Sequence, residues 1–143
     1  MISPSDLQRI DAAWLAVDAI GQVALFTTGG EGHVPETAIA STEIAEEATL
    51  SLPETSDCNL LVTLFRPDNF IAFARRGLFD YDWSDVHRPI SQSLGGYELQ
   101  ARPFRPLQLT ELPAFMQDLA ASTKLSDVTF GASIVVPTES AGT

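Results

Sequence analysis

Trp14-Leu15-Ala16-Val17-Asp18-Ala19-Ile20-Gly21-Gln22-Val23-Ala24-Leu25-Phe26-Thr27-Thr28 is the stretch on which the fold turns. Two β-prone runs, 14–18 and 22–28, flank Asp18-Ala19-Ile20-Gly21. Gly21 can supply the positive φ that a tight reversal needs, so the stretch reads as an opening β-hairpin. In the second run Val23, Leu25 and Thr27 fall on one face and Ala24, Phe26 and Thr28 on the other. Both faces are largely apolar, which predicts a central strand covered on both sides.

Working outward, residues 28–35 carry three glycines in four positions, Gly29, Gly30 and Gly32, and form a loop by composition. Glu31 would repel an anion there, and neither a Walker lysine nor a G-x-G-x-x-G pattern is present, so no phosphate cradle is expected. Pro35 suits a helix start, and Ile39, Ala40, Ile44, Ala45 and Ala48 recur at three and four, predicting an amphipathic helix over 36–50. Residues 60–65 read as a strand or extended segment before Pro67. Asp68 caps a helix over 69–76 that Gly77 stops. Residues 78–83 alternate, with Phe79, Tyr81 and Trp83 against Asp80 and Asp82, predicting a half-buried strand with a polar surface. A strand over 97–102 pairs antiparallel with it. A last helix begins at Thr110 or Glu111 and runs to about Ser122, and a last strand spans 128–136. The expectation is one α+β domain over 1–136, a mostly antiparallel sheet of about five strands with about three helices packed on it, and a flexible tail over 137–143.

The chain has 143 residues, and 45% are hydrophobic against 19% charged, enough for a real core. Eight Lys and Arg against 19 Asp and Glu leave a net charge of −11, which argues against nucleic acid as a ligand because phosphate contacts need cations. Residues 1–9 contain no apolar stretch like a signal-peptide core, and no run reaches the roughly 20 apolar residues of a membrane span. The single cysteine, Cys58, cannot form an internal disulfide, which agrees with a reducing compartment. A cytoplasmic protein is expected, with no membrane partner.

The charge is uneven. Between Arg9 and Arg66 there is no Lys or Arg, whereas Asp11, Asp18, Glu31, Glu36, Glu43, Glu46, Glu47, Glu54 and Asp57 all fall there. Such a stretch is either a solvated face or a patch that steers a basic protein partner. The run Asp80-Tyr81-Asp82-Trp83-Ser84-Asp85-Val86-His87 packs three carboxylates, two aromatics and a histidine into eight residues. It has no calcium or zinc ligand spacing, so no metal, cofactor or catalytic residue is expected. Its chemistry suits recognition, since Tyr and Trp supply contact area and acids pair with a partner's Arg or Lys, and equally a core role for Tyr81 and Trp83. A ligand pocket near Phe26, Phe79 and Tyr81 is the alternative reading, that of a small-molecule-binding or regulatory domain.

The run from Trp14 to Pro35 resembles the start of small bacterial immunity-like proteins of polymorphic toxin systems. So do Arg76-Gly77-Leu78-Phe79-Asp80-Tyr81-Asp82-Trp83, then Tyr97-Glu98-Leu99-Gln100-Ala101-Arg102-Pro103, and a helix opening at Leu112-Pro113. The resemblance implies a non-catalytic antitoxin that binds a cognate toxin domain and blocks its active site. These families diverge at the contacting surface, so no residue role transfers from them. The candidate partner-binding residues, chosen on charge and aromatic character, are Glu31, Glu43, Glu46, Glu47, Asp80, Asp82, Trp83, Asp85 and His87. A two-fold homodimer through an apolar strand edge is compatible with the same sequence.

Overall fold

The computed structural model describes residues 12–28, 32–61, 68–83 and 96–137. Strands β1 (Ala13–Asp18) and β2 (Val23–Thr27) form the expected hairpin, antiparallel from Ala13 opposite Thr27 to Val17 opposite Val23. Gly21 turns it at φ +87°. That dihedral is open to glycine and strained for other residues, so the sequence signal was the right one.

β2 is central, as its two apolar faces predict: β1 lies on one side and β4 (Phe79–Asp82) on the other. The sheet has the order β3-β5-β4-β2-β1-β6, with β3 at Cys58–Leu60, β5 at Gly96–Pro103 and β6 at Lys124–Leu125. A seventh strand, β7 (Val135–Pro137), pairs with Gly96 to Glu98 of β5, beyond the part that β3 covers. Among the described residues the sheet is therefore mixed and seven-stranded where about five strands were expected, and four of its six pairings are antiparallel. β2 runs parallel to β4 and β1 parallel to β6. Alternation carries no information on pairing direction, and strands of two or three residues are too short to show a period.

The helix expected over 36–50 is two pieces, a 3-10 segment η1 (Glu36–Glu43) and α1 (Ala45–Leu50), broken at Ile44, whose φ is −129°. Ser41 Oγ donates to Ala38 O at 2.8 Å and Thr42 Oγ1 to Ile39 O at 2.7 Å, local bonds that compete with α-helical ones. Ser41 Oγ also accepts the Leu15 amide at 3.1 Å. β6 pairs only with Val17 and Asp18, so η1 occupies the part of the β1 edge that β6 leaves open. An exposed edge that could template another strand is thereby covered.

Helix α2 (Asp68–Ala74) stops where expected, at Gly77 with φ +100°, and the Gly77 amide donates to Ala74 O at 3.0 Å. A short 3-10 turn, η2 (Leu109–Glu111), precedes α3 (Ala114–Ala121). Pro113 thus sits at the helix N-cap position, and the start moves from Thr110 to Ala114. The strand expected over 128–136 is only β7, because residues 126–134 turn to deliver Phe130 into the core.

The two faces of the sheet bury different chemistry. One packs Ala13, Leu15, Val23 and Leu25 against Ala45, Ala48 and Leu52, Phe73 of α2 and Met116 of α3. The other is aromatic, with Trp14 stacked on Phe26 at 4.1 Å and Phe26 on Tyr81 at 5.0 Å. Tyr97 stands edge-on to Trp14 and Phe26; its hydroxyl accepts from Trp14 Nε1 at 3.2 Å and donates to His33 O at 2.9 Å. Buried polar tips are thus satisfied within the stack. Among the described residues, no helix is long and apolar enough to cross a membrane.

Candidate functional site

The acids that the sequence singles out divide into two environments. Glu36 and Glu43 on η1, Glu46 and Glu47 in the first turn of α1, and Glu54 and Asp57 after it are all exposed. Positions 46, 47 and 50 recur at three and four, so Glu46, Glu47 and Leu50 share the outward side of α1, and Glu43 ends η1 just before the break at Ile44. Ala45, Ala48 and Thr49 fill the inward side. Leu50 is 46% exposed, an apolar side chain beside the Glu46 and Glu47 carboxylates. Arg75 reaches Glu54 at 3.8 Å and Asp57 at 3.6 Å, exposed pairs of small energetic weight. Glu46 and Glu47 near a helix N-terminus also complement its dipole, which gives them a structural use beside any recognition.

The sheet acids are different. Asp80 stands opposite Leu25 of β2 and Ala101 of β5, on the helix-covered face, and is 1% exposed. Neither of its carboxylate oxygens has a hydrogen-bond partner among the described residues. Burial pushes its pKa well above the usual carboxylate range. The polar surface expected for this strand is therefore corrected at Asp80. β4 is flanked by β2 and β5 and covered by helices, so its acidic face is interior too, and Asp80 cannot reach across to a partner in this fold. Asp82, half-buried, accepts a hydrogen bond from Thr27 Oγ1 and lies across from Glu98. Trp83 is half-buried with its ring edge-on to Tyr97 at 5.5 Å, so it extends the aromatic stack. Glu31, Asp85 and His87 lie outside the described residues.

The space between Phe26, Phe79 and Tyr81, the place of the ligand pocket in the alternative reading, holds the Phe130 ring, at 5.8, 6.1 and 5.6 Å from those three rings. All four are buried. Cys58 is half-buried, and burial followed by the Asp57 charge raises its thiol pKa, the opposite of what an activated nucleophile needs. Among the described residues, no group of three or more His, Cys, Asp or Glu is placed to hold a metal.

One important carboxylate escapes the sequence reading. Asp18, fully buried, accepts from the Ile20 amide at 3.0 Å, the Gln22 amide and Gln22 Nε2 at 2.8 Å, and the Phe130 amide at 2.8 Å. It joins the hairpin turn to the 126–134 turn. Its signal was local: an Asp entering a Gly-containing turn bonds the backbone that follows it.

No protein-family model matches this chain, and no curated protein or solved structure matches it either.

Proposed function

We propose that the chain is a non-catalytic, cytoplasmic immunity-type protein that binds and neutralises a basic toxin domain through an acidic surface. The observation that supports this reading is the outward side of η1 and α1, where Glu36 and Glu43 stand exposed on η1 and Glu46 and Glu47 stand exposed on α1 beside Leu50. The chain contributes no Lys or Arg between Arg9 and Arg66, so the strip's own segment holds nothing that neutralises it. An anionic face with one apolar anchor suits a partner whose working surface is cationic, such as a nuclease or deaminase domain that handles a polyanion. Long-range attraction would speed encounter, and Leu50 would hold the docked pair. Asp82 and Trp83 serve as a second contact at the rim of the sheet; Asp80 does not take part.

The test is affinity capture from a lysate of the protein's own source at low and moderate salt, with wild type and the double variant Glu46→Lys/Glu47→Lys. The reading predicts one basic protein recovered in near-equal amount, released as salt rises, weakly held by the variant, and toxic when expressed alone but harmless with wild type. Equal recovery by both proteins, or a recovered partner whose toxicity the chain leaves unchanged, contradicts it.

A further inference from the structure

Asp80 is a carboxyl group in the middle of a seven-stranded sheet, with neighbours on both sides and helices above it, and with no hydrogen bond to either oxygen among the described residues. A buried carboxylate without partners is among the costliest groups a fold can hold, whereas the neutral acid is far cheaper. Among the described residues, its surroundings offer no cationic compensation. Leu25 stands opposite on β2 and Ala101 on β5. Along the same face lie Asp82 on its own strand, Glu98 on β5, and Cys58 on β3, whose thiol pKa the Asp80 charge helps to raise. Of the cations near the end of α2, Arg75 is engaged by Glu54 and Asp57, and Arg76 donates to Leu52 O and Ala72 O. Arg102 of β5 points to the opposite face, where it donates to Gly131 O at 2.6 Å beside Phe79. The register shift between β4 and β5 at Asp80 and Tyr81 marks where the ladder is already irregular.

We propose that Asp80 is a proton-controlled latch: as the neutral acid it lets α2 close over β3, β5 and β4, and on losing its proton it drives that side of the molecule to open. The opening falls there because β3 is a three-residue edge strand with the side chains of Asn59 and Leu60 exposed, joined to the rest of the sheet through β5, so it has the least to lose. The latch does not rest on the partner-binding reading, whose main surface is the outward side of the helical layer and in which Asp80 takes no part.

Two measurements on the full chain decide it. The first is a carbon-detected NMR titration of the Asp80 side-chain carboxyl in the wild-type protein. The second is urea unfolding across pH 4 to 9 of wild type, Asp80→Asn and Asp80→Leu, the apolar variant guarding against a poorly folding amide. The latch predicts an Asp80 carboxyl that keeps its proton to higher pH than the exposed carboxylates do. It also predicts a wild-type folding constant that falls, relative to a variant, by up to about tenfold per pH unit through that titration and then levels off. An Asp80 that titrates with the exposed acids, or wild-type and variant stabilities that run parallel across the range, overturns it.

Discussion

Asp18 and Asp80 are equally hidden from water, yet the first accepts four hydrogen bonds and the second none among the described residues. Asp18 sits where a strand ends and a turn leaves amide N–H groups free, so its charge is balanced by the donors that the turn exposes. Asp80 sits mid-strand, where the ladder to β2 and β5 already uses the backbone donors. The comparison separates two uses of one residue type: a carboxylate that organises the chain because it is charged, and one that the fold accommodates while it is neutral. The exposed glutamates of η1 and α1 are a third case, in which the fold depends little on the charge and the proposed partner would depend on it strongly.

The largest stability effect should come from breaking the first case. Asp18→Ala leaves four N–H donors without their acceptor, three of them buried, and should cost about 3 to 5 kcal/mol in urea unfolding at neutral pH. Asp18→Asn should fall between, since one oxygen remains while an amide N–H now meets other donors. The second case predicts the opposite sign: Asp80→Leu, next to Leu25 and Ala101, should unfold within about 1 kcal/mol of wild type, or be more stable, at neutral pH. Because the folded Asp80 pKa is raised, the folded chain binds the extra proton. Its stabilising share is full below the ordinary carboxylate range and lost as pH rises through the raised value, so the advantage of Asp80→Leu should grow with pH. A leucine variant that loses as much as Asp18→Ala would erase the contrast.

A smaller effect is expected at the half-buried acid between these extremes. Thr27→Val keeps the shape of the side chain but removes the hydroxyl that donates to Asp82, and should cost about 1 kcal/mol by thermal or urea unfolding. Smallest of all for folding is Glu46→Lys/Glu47→Lys, where only the helix-terminus interaction is lost; a change of less than about 1 kcal/mol is expected. Its effect on partner association should be large, so this variant divides stability from binding most cleanly.

The sequence disclosed those parts of the fold whose signals are local. Gly21 and Gly77, both at positive φ, mark the hairpin and the end of α2, and the two apolar faces of β2 place it in the interior. It was misleading where the decisive fact is long-range. The alternation of β4 is the pattern of a half-exposed strand, but whether helices cover its acidic face depends on how the chain between β2 and β4 packs, which no period records. The 36–50 pattern is helical in its spacing, yet Ser41 is drawn to the Leu15 amide at the β1 edge, and the helix breaks to let it. Of the candidate contacts, Glu43, Glu46 and Glu47 were legible as charge without cations nearby. Asp80 looked identical to them on paper because burial, not composition, sets its chemistry.

The central claim is that the outward acids of η1 and α1, and not the buried Asp80 of the sheet, carry the attraction to a basic partner. It is tested most directly by the association rate with the captured toxin domain as ionic strength is varied, for wild type, Glu46→Lys/Glu47→Lys and Asp80→Asn. The account predicts a wild-type rate that falls steeply with salt, a slow and nearly salt-independent rate for the reversed strip, and wild-type behaviour for Asp80→Asn. Identical rates and salt dependence in wild type and the reversed strip would contradict it.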